Sequence, residues 1–394
     1  MELRLNISKE EILERQSRLV KELQNNGLDG AILFNQTDIF YLSDFNFIST
    51  ERPICLFIDP LGKTNLFIPA LEIDYAGEIA YVDEIYSYPE YPGILHPMEY
   101  LKGILTETGF VNKNVGIDGD GYSSPYGYVG PKLSEIIDAN FKSIQGWVEK
   151  MRYVKSQNEI ELIKESCRWG NLAHKLLQKN VKAGLNELEV SSSASHEASL
   201  AMINALGREY RPYGQPAHAS FRGQIGELSA FPHVVTQNAT IKKGDNLVTW
   251  AAADVWGYQS ELERTMFVED VSSEQEKYFK LMCEAQETAF KNIKPGIPAS
   301  AVDKEVQRFI DENGIRQYCP HHTGHAIGLL MHEAPFFDLG DHTILEPGMV
   351  FTVEPGVFVK GLGGFRHSDT VLVTEEGVEL LTYYPRDLES LICY

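Results

Sequence analysis

The chain has 394 residues, 43% of them hydrophobic and 23% charged, which fits a soluble globular protein of two or three domains. A formal net charge of −21 excludes a binder of phosphate backbones or anionic membranes, so neither nucleic acid nor membrane is expected as a partner. The five cysteines (Cys55, Cys167, Cys283, Cys319, Cys393) form no CxxC pair and predict neither a disulfide framework nor a cysteine zinc site. The opening MELRLNISKEEILERQ lacks an apolar signal region, and no apolar stretch reaches the length of a membrane span. With thiols suited to a reducing compartment, the expectation is a cytoplasmic protein.

Taken in order, Ser8 to Glu11 reads as a capping box opening a helix with Ile12, Leu19, Val20 and Leu23 on its apolar side, closed near Asn26 and Gly27. Gly30 to Phe34 is an apolar run expected as a buried strand. Ile54 to Ile58 and Thr64 to Ile68 flank Asp59-Pro60-Leu61-Gly62 and predict a hairpin. A helix over Pro97 to Thr108 then precedes a short strand, Val115 to Asp118. Strands alternating with helices make residues 1–151 an α/β domain. The polar stretch Arg152 to Gln157 places the boundary, with a second domain over 152–394.

That second part begins with helices over Asn158 to Lys179 and Asn186 to Leu206. From Gly244 the pattern turns to strands: Asn246 to Ala251 and Arg264 to Val268, about a turn at Trp256-Gly257-Tyr258. Ser273 opens a long helix closed by Lys294-Pro295-Gly296, and Ala299 to Asn313 forms another, ended by Gly314. His322 to Leu330, Met349 to Val353 and Thr370 to Thr374 read as strands. The fold class expected is α/β in the broad, α+β sense.

Histidines and carboxylates with candidate chemistry gather in the C-terminal half: His233, Glu261, His325, His332, Glu333 and Glu354. Their ordered setting is Gly324-His325-Ala326-Ile327-Gly328, His332-Glu333-x-Pro335, Thr352-Val353-Glu354-Pro355-Gly356 and Arg366-His367-Ser368-Asp369-Thr370. This series resembles the methionine aminopeptidase, prolidase and creatinase superfamily, peptidase family M24, over essentially the whole chain. The resemblance implies a creatinase/prolidase-type N-terminal domain and a pita-bread catalytic domain. The metallopeptidases of that superfamily hold two cations with Asp, Asp, His, Glu and Glu. Here those positions fall on Trp250, Glu261, His325, Glu354 and Ser368. An indole cannot ligate a cation and a serine is a poor ligand.

The loss of those ligands points toward creatinase, the member that works without metal. Tyr258-Gln259-Ser260-Glu261-Leu262-Glu263-Arg264-Thr265 resembles its central segment. By that resemblance His233 is the general base and acid, and Glu261 and Glu354 grip a cationic substrate. Arg52, across a homodimer interface, would hold a substrate carboxylate, with His325, His332 and Tyr258 as further substrate contacts. The chemistry is coherent on its own terms. An imidazole exchanges protons near neutrality, paired glutamates favour a cation, and an arginine fixes a carboxylate. The reading reached is a metal-independent, creatinase-like hydrolase of a C–N bond in a small zwitterionic amidine, guanidine or amide, with no cofactor. A second is an Xaa-Pro type peptidase keeping one divalent metal, such as Zn or Mn, through Glu261, His325 and Glu354. A third is a homologue that binds a ligand and turns nothing over.

Overall fold

The computed structural model describes residues 6–394, so the reading of the first five residues lies outside the described residues. The chain forms two compact units, one over Ile7–Met151 and one carried by Arg152–Tyr394.

In the first unit the helix Lys9–Asn25 is capped by Ser8, whose hydroxyl accepts from the Glu11 backbone N–H. Six strands form one mixed sheet in the order Glu84–Tyr88, Thr64–Pro69, Cys55–Ile58, Gly30–Leu33, Asn114–Ile117, Asn140–Ser143. The predicted hairpin is present. At its turn Asp59 Oδ1 accepts from the backbone of Leu61 at 2.8 Å and of Lys63 at 3.0 Å, and Gly62 takes φ +84°. Ile32, Phe57, Phe67, Leu101, Phe110 and Val115 meet in the core. A helix over Gln36–Ser43 escaped the sequence pattern, because Asp38 through Ser43 are all buried and show no polar face.

The second unit sets the helices Gln157–Asn180, Glu187–Leu206, Ser273–Asn292 and Ala299–Glu312 around an eight-stranded sheet. Along that sheet run Glu333–Phe337, Gly324–Ala326, Val350–Val353, Ser368–Val373, Leu262–Glu263, Trp250–Ala252 and His218–Ser220, with Val378–Leu380 pairing beside Ser368–Val373. Each neighbouring pair of these strands is antiparallel. The strand expected over Asn246 to Ala251 is divided. Asn246–Val248 pairs with Thr265–Val268, whereas Trp250–Ala252 pairs with Leu262 and with His218–Ser220. The crossing is fixed at Thr249, whose hydroxyl accepts from Arg264 N at 3.0 Å and donates to Arg264 O at 2.9 Å. Strand order therefore sets positions 250, 261, 325, 354 and 368 on neighbouring strands or their ends.

No helix among the described residues is long and apolar enough to cross a membrane.

Candidate functional site

Glu261 stands directly before Leu262–Glu263 and is locked at its backbone. Its N–H donates to Thr370 Oγ1 at 3.0 Å, and the same hydroxyl donates to its carbonyl at 2.8 Å. Its side chain is buried beside two donors. Ser368 Oγ donates to Oε1 at 2.8 Å, and Trp250 Nε1 donates to Oε2 at 3.2 Å. Burial raises its pKa, and repulsion from Glu354 adds to this, against the charge of His325.

His325, on Gly324–Ala326, is fully buried. Its Nδ1 lies 3.0 Å from the Ala326 carbonyl, which fixes Nδ1 as the donor and leaves Nε2 aimed inward. Nε2 lies 3.1 Å from Glu354 Oε1, a contact that is a hydrogen bond only when the ring is protonated. Burial alone would lower the imidazole, but the hydrogen bond and charge of Glu354, with the charge of Glu261, raise it to about 9. Burial acts to raise Glu354 in turn; the His325 hydrogen bond and the Arg366 charge prevail and hold it well below the usual carboxylate range. The ligand-capable atoms of Glu261, His325 and Glu354 all lie within 4.8 Å of one another.

A second layer balances this cluster. Buried Arg366 donates from Nη2 to Glu263 Oε1 at 2.7 Å, and its Nε also pairs with that carboxylate and lies 3.9 Å from Glu354 Oε2. Glu263 also receives Arg222, and the Arg222 guanidinium carbon stands 5.7 Å from the centre of the Trp250 ring.

The remaining sequence-predicted residues take varied places. His332 stacks on His325 with ring centres 3.7 Å apart and is itself exposed. His233 is exposed and close enough for its charge to act on His332. Tyr258 is buried and donates its hydroxyl to Glu159 at 2.7 Å, the setting of a packed aromatic in the turn. Arg52 lies in the first unit, where Glu51 and Glu90 hold its guanidinium at 2.6 and 2.7 Å. Glu333 is buried against Arg152 and Lys155, at 3.4 and 3.5 Å. Asp369 pairs with Arg264, and Asp254 accepts from Gly257 N–H at 2.8 Å, so both serve the scaffold. Sequence reasoning missed Arg222 altogether. It reaches the cluster only because Ser220 pairs with Trp250 across the sheet.

Two carboxylates and an imidazole suit a single divalent cation such as zinc or manganese. Trp250 and Ser368 present donors, not lone pairs, to the same carboxylate, so the residues present fit one cation and do not fit a bridged pair.

Comparison with known proteins bears on the same residues. The family described as metallopeptidase family M24 matches residues 161–375, and the creatinase/prolidase N-terminal domain matches residues 15–154. An Xaa-Pro dipeptidase of Pyrococcus furiosus is 30% identical over 95% of this chain and 99% of its own length. One from Pyrococcus horikoshii is 27% identical over 95% and 98%. Among solved structures, an Xaa-Pro dipeptidase from Bacillus anthracis superposes with a TM-score of 0.81 at 28% identity, covering 97% of this chain and 99% of that one.

These findings overturn two expectations. The metal-independent, creatinase-like hydrolase gives way, because the full-length relatives carry the name Xaa-Pro dipeptidase. The expectation of no cofactor fails with it, since Glu261, His325 and Glu354 form a group able to hold a metal and the matching family is one of metallopeptidases. The physical reason is local. Glu261, His325 and Glu354 bring ligand-capable atoms within 4.8 Å of one another, close enough to share one cation. The single hydrogen bond that each Glu261 oxygen accepts leaves it a further lone pair, and Glu354 Oε1 faces His325 Nε2.

Proposed function

Because the chain belongs to metallopeptidase family M24, with the family's creatinase/prolidase N-terminal domain, we propose that it is a hydrolase of C–N bonds in peptides, of the Xaa-Pro type, working with one divalent cation. The observation that carries this reading is the convergence of Glu261, His325 and Glu354, with ligand-capable atoms within 4.8 Å of one another. A cation bound there would polarise a substrate carbonyl and lower the pKa of a water.

The chain's own residues supply the rest. Glu261 and Glu354 provide the negative charge for a dication, and His325 provides Nε2 because Nδ1–H is committed to Ala326 O. Ser368 and Trp250 orient Glu261, and Arg366 balances Glu263 and Glu354. His332 stacks on the ligand imidazole, and with exposed His233 it offers polar contacts to a bound peptide.

The test is metal analysis joined to an assay. Purified protein should hold one cation per chain, hydrolyse Xaa-Pro dipeptides, lose activity to a chelator and regain it with manganese or zinc. Turnover indifferent to chelation, or no cation at saturation, would overturn the reading. Cation binding without turnover of any peptide would leave a binding homologue.

A further inference from the structure

Arg222 is the more exposed of the two guanidinium groups that meet Glu263. Its partner Glu263 is already engaged by Arg366 through both Nε and Nη2. The side chain of Glu263 is 1% exposed and that of Arg222 is 34% exposed, so Arg222 reaches from buried charge toward solvent. Its Nη2 donates to Glu263 and to Gln224 Oε1, while its Nε is buried without a partner. A left-handed backbone at Arg222 (φ +51°), followed by Gly223 at φ +81°, sets the direction of the side chain. There the guanidinium lies against the Trp250 ring and within electrostatic reach of Glu261.

With a cation in place the charges around Arg222 are unequal. Three buried carboxylates, Glu261, Glu263 and Glu354, face two guanidinium groups, Arg222 and Arg366. With a divalent cation on Glu261, neutral His325 and Glu354, these five side chains and the cation carry an excess of one positive charge. Of these five charged side chains Arg222 is the one that reaches solvent most, at 34% exposed.

We propose that Arg222 is a specificity-determining residue that receives a carboxylate of the substrate beside the Trp250 indole. The ligand class is a short peptide whose free carboxylate lies close to the bond to be cut, or the amino acid released from it. This rests on the peptidase reading for its substrate but not for its binding.

The experiment therefore has a binding arm and a turnover arm, on metal-loaded full-length parent, Arg222→Met and Arg222→Lys. Arg366 keeps Glu263 paired in both variants. Calorimetry compares proline with prolinamide, and cation content is measured alongside. The parent should prefer the acid, Arg222→Met should lose about tenfold of that preference, and Arg222→Lys should recover part of it. Cation content should stay at one per chain, with affinity tighter in Arg222→Met because a nearby positive charge is gone. In turnover, the ratio of a dipeptide over its carboxamide should fall in parallel. Equal acid preference in parent and Arg222→Met, or no acid binding by either protein, overturns the inference. Failure of the parent to cleave peptides, with the binding preference still dependent on Arg222, would sink the peptidase reading and leave this one standing.

Discussion

Glu261 receives hydrogen bonds from the two residues at which the sequence resemblance expects carboxylates. Ser368 and Trp250 each spend a donor on it, at 2.8 and 3.2 Å. They hold the carboxylate plane toward His325 and Glu354, the part that outer partners of metal ligands play. Ser368→Ala removes one donor and little volume, and Trp250→Phe removes one donor together with the pyrrole part of the indole. Each should weaken cation affinity about tenfold, as loss of an outer partner does. Glu354→Gln removes a ligand charge and should cost about a hundredfold or more. Titration with zinc or manganese, followed calorimetrically, checks both. Affinity unchanged in Ser368→Ala and Trp250→Phe would show that these hydrogen bonds do not orient Glu261. Glu261, His325 and Glu354 were legible as site residues because Gly324-His325 and Glu354-Pro355-Gly356 sit in an ordered series, but the leading sequence reading gave them to a substrate and not to a metal cation. The role of Trp250 was half legible: its inability to ligate was plain, but its indole N–H toward Glu261 required coordinates. The absence of carboxylates at 250 and 368 had suggested abandonment of metal, whereas the geometry shows the remaining carboxylate being held in place.

The strands that carry the ligands are short, and close backbone contact keeps them in register. Gly324 is one such contact. A Cβ there would lie 2.1 Å from the Thr352 carbonyl oxygen, far inside any real approach, and backbone cannot swing aside as a flexible side chain can. His325 follows it directly, and Thr352 lies two residues before Glu354. Gly324→Ala should therefore pry Gly324–Ala326 from Val350–Val353 and separate Nε2 of His325 from Glu354. The expected outcome is a destabilisation of about 1–3 kcal/mol with a loss of cation affinity larger than that of Ser368→Ala. Thermal unfolding and metal titration on one preparation measure the two together; full affinity in a protein of normal stability would contradict it. The same brevity explains what sequence patterns could not give. Leu262–Glu263 and Trp250–Ala252 are too short to show alternation, and Thr249 shifts the chain from one sheet to another without a glycine or proline to mark it. Longer elements were readable. Gln157–Asn180 begins with reciprocal bonds between Ser156 and Glu159, and the hairpin at Asp59 to Gly62 carries its turn chemistry in the residues themselves.

Across the second unit the helix Gln157–Asn180 is tied to the sheet through a buried imidazole. His174 Nε2 lies 2.6 Å from Thr249 Oγ1, whose own proton goes to the Arg264 carbonyl, so Nε2 must donate. Nδ1 is buried without a partner, and a second proton there would find no acceptor. Burial, then the Arg264 charge, holds His174 far below its ordinary pKa; His367 is held down by burial and by Arg264, Arg386 and His174. Both rings are neutral in the folded chain, while in the unfolded chain they take up protons below about pH 6.5. The unfolded state then binds more protons, so stability rises with pH through this window, is fully present above about pH 6.5, and falls as the pH drops below it. Each histidine contributes up to about 1.4 kcal/mol per pH unit to that fall. His174→Gln keeps a donor within reach of Thr249 but cannot titrate. The drop in melting temperature between about pH 8 and pH 5.5 should be smaller in this variant than in the parent, by the share of one proton. Scanning calorimetry of metal-free protein at both pH values isolates the effect from cation binding. An identical drop in both proteins would mean that His174 titrates alike in the folded and unfolded chain, and that the bond to Thr249 does not fix its neutral form.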